Sequence, residues 1–166
     1  MLTRNFMYML AVDMGVGTNQ DTSIGMPASL INIEGNAISS FIPALGTASG
    51  GNYVFNSANF SKAKLVIGTG NTAEKSTDYC LESKITEGYD CTPLSRQYIQ
   101  TDKKDAIYVY GVITNTGDSA ITVSEVGFEV YDSVNTVSTY FLMARQVLDK
   151  PVTIEPGEAK TFNVRL

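Results

Sequence analysis

From residue 62 to the end, the chain alternates short apolar stretches with strong turn signals. In residues 62–67, Ala63, Leu65 and Ile67 occupy alternate positions, and the two lysines occupy two of the others. A period of two residues places the apolar side chains on one face of an extended strand. The segment therefore predicts a half-buried β-strand, which ends at Gly68 because glycines and threonine follow.

Residues 106–113 predict a second strand with little polarity on either face, which is typical of a central strand. Residues 115–118 (Asn-Thr-Gly-Asp) then form a strong turn signal. In the next strand, residues 121–130, the apolar residues change parity partway along. A β-bulge near residues 124–125, or at Gly127, would return both apolar sets to the core.

The C-terminal residues predict two strands joined by a turn. Residues 152–154 and 161–166 flank Pro156 and Gly157, which suit the two central positions of a type II turn. The connection fits a loose hairpin or a corner between sheets, with Phe162, Val164 and Leu166 facing inward. Residues 140–144 predict another strand, whereas residues 71–104 are turn-rich. Short strands with frequent turns predict a mainly β fold, an Ig-like or jelly-roll-like antiparallel β-sandwich spanning residues 61–166.

Residues 1–60 differ in composition from the rest of the chain. They contain four charged side chains and half of the fourteen glycines. Such a segment is too poor in charge for ordinary disorder and too rich in breakers for an independent core. It is either an N-terminal docking arm that becomes ordered on other surfaces or the first strands of the same domain.

Within this arm, residues 2–12 predict a short helix. Leu2, Phe6, Met9 and Leu10 recur at helical spacing, and a methionine-rich face suits an adaptable contact surface. These four residues are candidate assembly contacts, although a helix packed on its own domain explains them equally well. Arg145 is a fifth candidate, which would pair with an acidic residue across a subunit contact or lie in solvent at a sheet edge.

Charge and composition weigh against several functions. The formal net charge is −5 and there is no histidine. Binding to nucleic acid or to an anionic membrane needs clustered basic residues, and general base catalysis at neutral pH most often uses histidine. The apolar run at residues 6–12 is too short to span a bilayer and lacks a cleavage site, so we expect no export signal. We therefore expect no enzyme, no cofactor, no nucleic acid and no membrane partner.

Three local patterns have structural and chemical alternatives. Cys80 and Cys91 are either free thiols or a disulfide pair. The glycines after residue 67 predict a turn, because a phosphate-binding loop needs further residues that are missing. Calcium or a glycosidase-type pair would need clustered carboxylates, and the acidic residues of this region instead predict solvated loops. These acidic residues are Asp78, Glu82, Asp90, Asp102 and Asp105.

The order of several elements resembles that of small structural proteins of tailed bacteriophages. The similarity covers roughly residues 60–166 and the opening residues 2–6, and its specific feature is the order of all the elements together. One part is residues 67–85: Gly-Thr-Gly after a strand, then Thr, Asp-Tyr, Leu and Ile. Further parts are residues 113–117, 121–127, 142–145 and 151–154.

This resemblance implies a virion protein of the capsid-decoration, tail or fibre-component type, assembled in the host cytoplasm. It implies other capsid or tail subunits as partners, and cyclic homo-oligomers are the form that we expect. The alternative is an Ig-like cell-surface adhesion or carbohydrate-binding module. Its sugar platform would use tyrosines, because the chain has no tryptophan: Tyr53, Tyr79, Tyr89 and Tyr98.

Overall fold

The computed structural model describes residues 1–13, 29–39, 62–100, 105–134 and 137–166. The candidate Tyr53 lies outside the described residues. The described residues form one helix, α1 (Arg4–Asp13), and nine strands. The strands are β1 (Ser29–Ile31), β2 (Ala37–Ser39), β3 (Lys64–Gly68), β4 (Tyr89–Cys91), β5 (Ser95–Gln100), β6 (Asp105–Asn115), β7 (Ile121–Val134), β8 (Val137–Ile154) and β9 (Ala159–Arg165).

The longer strands form two antiparallel sheets. The first sheet has the order β3-β7-β8. In the second sheet, β6 is central: β5 and β4 pair with its first and last parts, and β9 pairs with residues 108–114. Because β9 overlaps both β4 and β5 along β6, those two strands share one edge of β6 and β9 takes the other. Strands β1 and β2 form a separate hairpin.

Both sheets contribute side chains to one hydrophobic cluster. Leu65 and Phe128 come from the first sheet, and Val109, Ile113 and Val164 come from the second. The predicted mainly β, antiparallel fold with a short N-terminal helix is confirmed, whereas the arrangement of the two sheets as a β-sandwich stays a prediction. The choice between Ig-like and jelly-roll-like connections stays a prediction.

The predicted bulge in β7 is present. Val123 pairs with Val152, but Glu125 pairs with Val147, so the register shifts between them. The shift places Val123 and Phe128 in the same core although their sequence parity differs. A second shift follows, between the residues paired with Phe128 and Glu129.

The first sheet is buried on both faces, because a loop covers the face that points away from the core. This cover loop, residues 69–85, leaves β3 and returns along its edge, where Gly68 forms a bridge with Lys84. Leu81 of the loop packs with Val66 and Leu142 in a second small cluster. The prediction of a half-buried β3 is therefore wrong, because the cover loop buries its outer face as well.

The C-terminal turn joins the two sheets. Glu158 donates its backbone N–H to the carbonyl of Glu155 at 2.9 Å, and Gly157 has a φ of 75°. Glycine adopts a positive φ at the third residue of such a turn without steric cost, whereas other residues would be strained there. Because β8 belongs to the first sheet and β9 to the second, the connection is a corner between sheets. Strands β4 and β5 lie in the stretch predicted to be only turn-rich.

The N-terminal residues extend the first sheet at its β8 edge. Leu2 forms an isolated bridge with Ala144, and the N–H of Thr3 donates to the carbonyl of Met143 at 3.0 Å. The Thr3 hydroxyl donates to the Leu142 carbonyl at 2.6 Å and accepts the N–H of Phe6 at 3.4 Å. Thr3 therefore caps α1 and attaches it to the sheet.

The hairpin β1–β2 lies next to this N-terminal segment. The side chain of Asn5 donates to the Ile31 carbonyl at 2.7 Å and accepts the Ile31 N–H at 3.0 Å, as a neighbouring strand would. The N–H of Ile33 donates to the carbonyl of Tyr140 at 3.1 Å. Residues 1–13 and 29–39 of the predicted arm thus pack on β8, and the role of residues 1–60 as an arm for docking on other proteins stays a prediction.

We predict that Gly127→Ala destabilises the fold. An added Cβ would lie 2.9 Å from side-chain carbons of Leu142 and Leu81 and 3.1 Å from one of Val66. Overpacking of this kind costs about 1–3 kcal/mol, which thermal or urea unfolding would measure. Gly117→Ala is the matched control, because the nearest atom to its added Cβ lies at 3.5 Å. Equal stability of the two variants would contradict tight packing under the cover loop.

Candidate assembly site

An apolar opening lies between α1 and the inner face of the second sheet. It encloses a cavity of about 300 Å³. One wall is formed by residues of the N-terminal segment, and the other by residues of β5, β6, β7 and the C-terminus. The lining residues are Leu2, Phe6, Leu10, Arg96, Ile107, Val109, Phe128 and Leu166.

The mouth of the opening exposes large apolar side chains. Tyr98 of β5 pairs directly with Ile107 of β6, and their exposed fractions are 59% and 46%. Directly paired residues project to the same face, as does the neighbouring pair of Arg96 and Val109. Because Val109 is in the core, Tyr98 and Ile107 lie on the inner face of the sheet, where that face continues past the core.

The structure brings together three of the four predicted N-terminal contact residues. Leu2, Phe6 and Leu10 are half-buried and line the opening. Met9 lies on another side of α1 and is fully buried in the core, so it offers no surface to a second protein. Among the residues that the structure describes, the exposed methionines are instead Met1 and Met7, at 56% and 54%.

Arg145 lies in a buried cluster of charges on the outer face of the first sheet. Its Nε donates to Glu125 Oε2 at 2.7 Å, its Nη1 to Asp78 Oδ2 at 2.9 Å and its Nη2 to Glu82 Oε2 at 3.4 Å. Only 3% of its side chain is exposed. Burial alone would lower the pKa of Arg145, but the hydrogen bonds to Glu125 and Asp78 raise it above its ordinary value.

Arg145 therefore pairs with acidic residues, as the subunit-contact alternative required, but these residues belong to its own chain. It lies neither in solvent nor at a surface where another subunit would reach it. The sequence did not indicate these partners, which lie 20 to 67 positions away from Arg145. A usable signal was present in β7: Glu125 and Glu129 flank Gly127 on one parity, and Val126, Phe128 and Val130 occupy the other.

The carboxylate of Glu125 is fully buried and accepts four hydrogen bonds. Besides Arg145 Nε, its donors are the backbone N–H groups of Gly70 at 3.1 Å, Ser83 at 2.8 Å and Glu82 at 3.2 Å. All three backbone donors belong to the cover loop. The loop is thus held to the sheet by one side chain of β7. The Gly70 N–H, which belongs to the glycine-rich turn, therefore donates to a carboxylate of the same chain.

Glu82 and Asp78 connect the cover loop to itself as well as to Arg145. Glu82 Oε2 accepts the N–H groups of Asn71 and Thr72, each at 2.9 Å. These bonds lower the pKa of Glu82 below its ordinary value, and the bond from the Thr72 N–H has the largest effect. Asp78 Oδ2 accepts the Lys75 N–H at 2.9 Å. The arrangement therefore fixes the shape and position of the loop.

A second charged group lies further along the same face. Glu129 is fully buried, with Lys84 Nζ 2.6 Å from Oε1 and Lys64 Nζ 3.6 Å from Oε2. Lys64 Nζ also lies 3.8 Å from the ring centroid of Tyr140, which is a cation–π distance. Here too the buried carboxylate is matched by cations that belong to the same sheet and its cover loop.

The remaining candidate sites form no reactive arrangement in the part of the chain that the structure describes. Cys80 and Cys91 are free. Burial raises the pKa of both thiols, and Asp78 raises that of Cys80 further, so both thiols are poorly reactive. No three acidic or cysteine side chains among the described residues form a group that could hold a metal ion. Asp102 lies outside them.

Comparisons with protein-family models, curated proteins and solved structures found no match for this chain. Among the described residues, no helix is both long enough and apolar enough to cross a lipid bilayer.

We predict that Glu125→Gln strongly destabilises the protein. The new amide group would place N–H donors against the donors of Arg145 or the cover loop, and Arg145 would lose its buried counter-charge. Removing one partner of a buried ion pair costs about 3–5 kcal/mol. Chemical unfolding measures this loss, and Glu158→Gln is the control because its pair with Lys160 is solvent-exposed. An equally small effect of both substitutions would refute a stabilising role for the cluster.

We also predict that acid loosens the cover loop around Asn71 and Thr72. Because the pKa of Glu82 is lowered in the folded state, its carboxylate stabilises the folded loop above the ordinary carboxylate pKa. That contribution is lost as the pH falls through the lowered pKa. Hydrogen exchange of the two amides should therefore show less protection in acid, after correction for intrinsic rates. In the Glu82→Gln variant this acid-dependent loss of protection should be absent. If the loss persists in the variant, another titrating group causes it.

Proposed function

We propose that the protein is a non-enzymatic structural component of a bacteriophage particle that assembles with capsid or tail proteins and with itself. The observation that carries the assembly role is the exposed inner face of the second sheet. Tyr98 and Ile107 continue the core face into solvent beside the opening under α1. Apolar side chains gathered at one place on a surface are typical of protein interaction sites.

The energetic argument concerns burial. Fully burying an Ile side chain contributes about 1.5–3 kcal/mol, and Ile107 still has nearly half of its surface in water. Tyr98 combines a large apolar ring with a polar hydroxyl, a combination enriched at interfaces. Leu2, Phe6 and Leu10, predicted from the sequence as contacts, line the adjoining cavity. A second protein placed here would bury a continuous apolar surface.

The outer face of the first sheet also supports a structural role. The charged side chains on its outer face pair with one another, so their chemistry is used to fix the cover loop. The assignment to a phage particle rests on the order of sequence elements in residues 60–166. A gene position among capsid and tail genes would support it.

The carbohydrate-binding alternative has one supporting observation, which is the exposure of Tyr79 and Tyr98 at 40% and 59%. Tyr89 is half-buried, so its ring offers less surface to a sugar. The same burial raises the pKa of its hydroxyl. A glycan array with the full chain tests this alternative. Binding abolished by Tyr98→Ala but retained in Ile107→Lys would favour a sugar platform over a protein contact.

We predict that Ile107→Lys and Tyr98→Lys weaken self-association about tenfold or more, a loss of about 1.4 kcal/mol or more. A lysine ammonium would have to leave water when the apolar face is covered by a partner. Sedimentation equilibrium of the full chain measures the association constant. Gln97→Lys is the matched control, because Gln97 is exposed on the same strand but projects to the opposite face.

A full chain that remains monomeric at all concentrations would contradict self-assembly. An oligomer that is unaffected by Ile107→Lys and Tyr98→Lys would place the contact elsewhere on the protein. Circular dichroism of each variant establishes that the fold is retained.

A further inference from the structure

The N-terminal segment, residues 1–13, begins along the β8 edge, where Leu2 forms an isolated bridge with Ala144, and continues into α1. The N–H of Arg145 donates to the Met1 carbonyl at 3.0 Å, and the N–H of Thr3 donates to the Met143 carbonyl at 3.0 Å. The Met1 amino group also donates to the Arg145 carbonyl. We propose that in the assembled protein this edge receives the N-terminal segment of a second copy, so that subunits exchange residues 1–13. This proposal rests on the self-association proposed above.

The bonds that hold the segment would form equally well between two chains. They are backbone bonds to β8, the Thr3 hydroxyl bond to Leu142, and the paired bonds between Asn5 and Ile31. Every copy carries the same segment and the same edge, so exchange replaces each contact with an identical one. The free-energy difference between the two forms then comes from the connection and from any new surface that is buried.

The chain length allows the exchange. Fifteen residues, 14–28, connect α1 to β1, and they reach at most about 50 Å when extended. A compact chain of 166 residues has a radius of gyration of about 15 Å. A fully extended connection of this length is about three times that radius, so the number of connecting residues does not prevent the exchange.

The location of the apolar opening favours exchange over simple contact. Leu2, Phe6 and Leu10 form its N-terminal wall, and Tyr98 and Ile107 lie at or beside its mouth. Subunits joined at this opening would bring each N-terminal segment close to the partner's β8. The high effective concentration within such an oligomer is the condition under which identical segments exchange.

A disulfide between Leu2→Cys and Ala144→Cys tests the proposal. The bonds of Thr3 and Arg145 lie on either side of this pair, so it is a non-hydrogen-bonded pair with Cα atoms about 4.5 Å apart, a distance compatible with a disulfide. The variant is made in the full chain with Cys80→Ser and Cys91→Ser. After oxidation of the oligomer, we expect covalent dimers or larger species on a denaturing gel without reductant.

The matched control is Thr114→Cys with Ala159→Cys in the same background. This pair joins β6 to β9 and has the same non-hydrogen-bonded geometry, because Asn115 donates to the Glu158 carbonyl. It should give only internally linked monomers. An oligomer in which the Leu2–Ala144 pair also gives only linked monomers overturns exchange but leaves self-assembly standing. A chain that is monomeric before oxidation removes both proposals.

Discussion

The carboxylate of Glu125 is fully buried on the outer face of the first sheet, and the groups that compensate its charge hold the cover loop on that face. Transferring an ionised carboxylate from water to a protein interior costs several kcal/mol after relaxation. For Glu125 this cost is offset by Arg145 and by three backbone N–H groups of the cover loop. The sheet and the loop therefore depend on each other. If the loop moved away, Glu125 would lose three hydrogen-bond donors, and the loop N–H groups would lose their acceptor.

This dependence makes the two sheets unlike each other. The first sheet is covered on its outer face, with Val66, Leu81 and Leu142 packed beneath the loop. The second sheet keeps part of its inner face in solvent, at Tyr98 and Ile107. One sheet is therefore covered by its own loop, whereas the other leaves apolar side chains in contact with water beside the opening.

Local patterns were sufficient for much of the fold, because strands and turns are encoded over a few residues. The parity change in β7 predicted its bulge, and Pro156 with Gly157 predicted the C-terminal turn. The cover loop was missed because its position on the sheet depends on contacts with Glu125 and Arg145, which are distant from the loop in sequence. For the same reason Met9, which is buried, could not be separated from Leu2, Phe6 and Leu10, which share its helical spacing but line the opening. Whether a helical side chain meets the core or solvent depends on the sheet against which the helix lies.

The N-terminal residues contribute both to the hydrophobic core and to the apolar opening. An experiment on assembly must therefore leave their contribution to folding unchanged. Met9 and Leu30 are fully buried, while Leu2 and Phe6 line the opening. Deleting a buried Met or Leu side chain costs about 2–5 kcal/mol, and a whole domain is stable by only about 5–15 kcal/mol. Removing residues 1–60 would therefore disturb the core whether or not the chain assembles. Substitutions of the exposed side chains change the contact surface and leave these core residues in place, so they separate assembly from folding where a truncation does not.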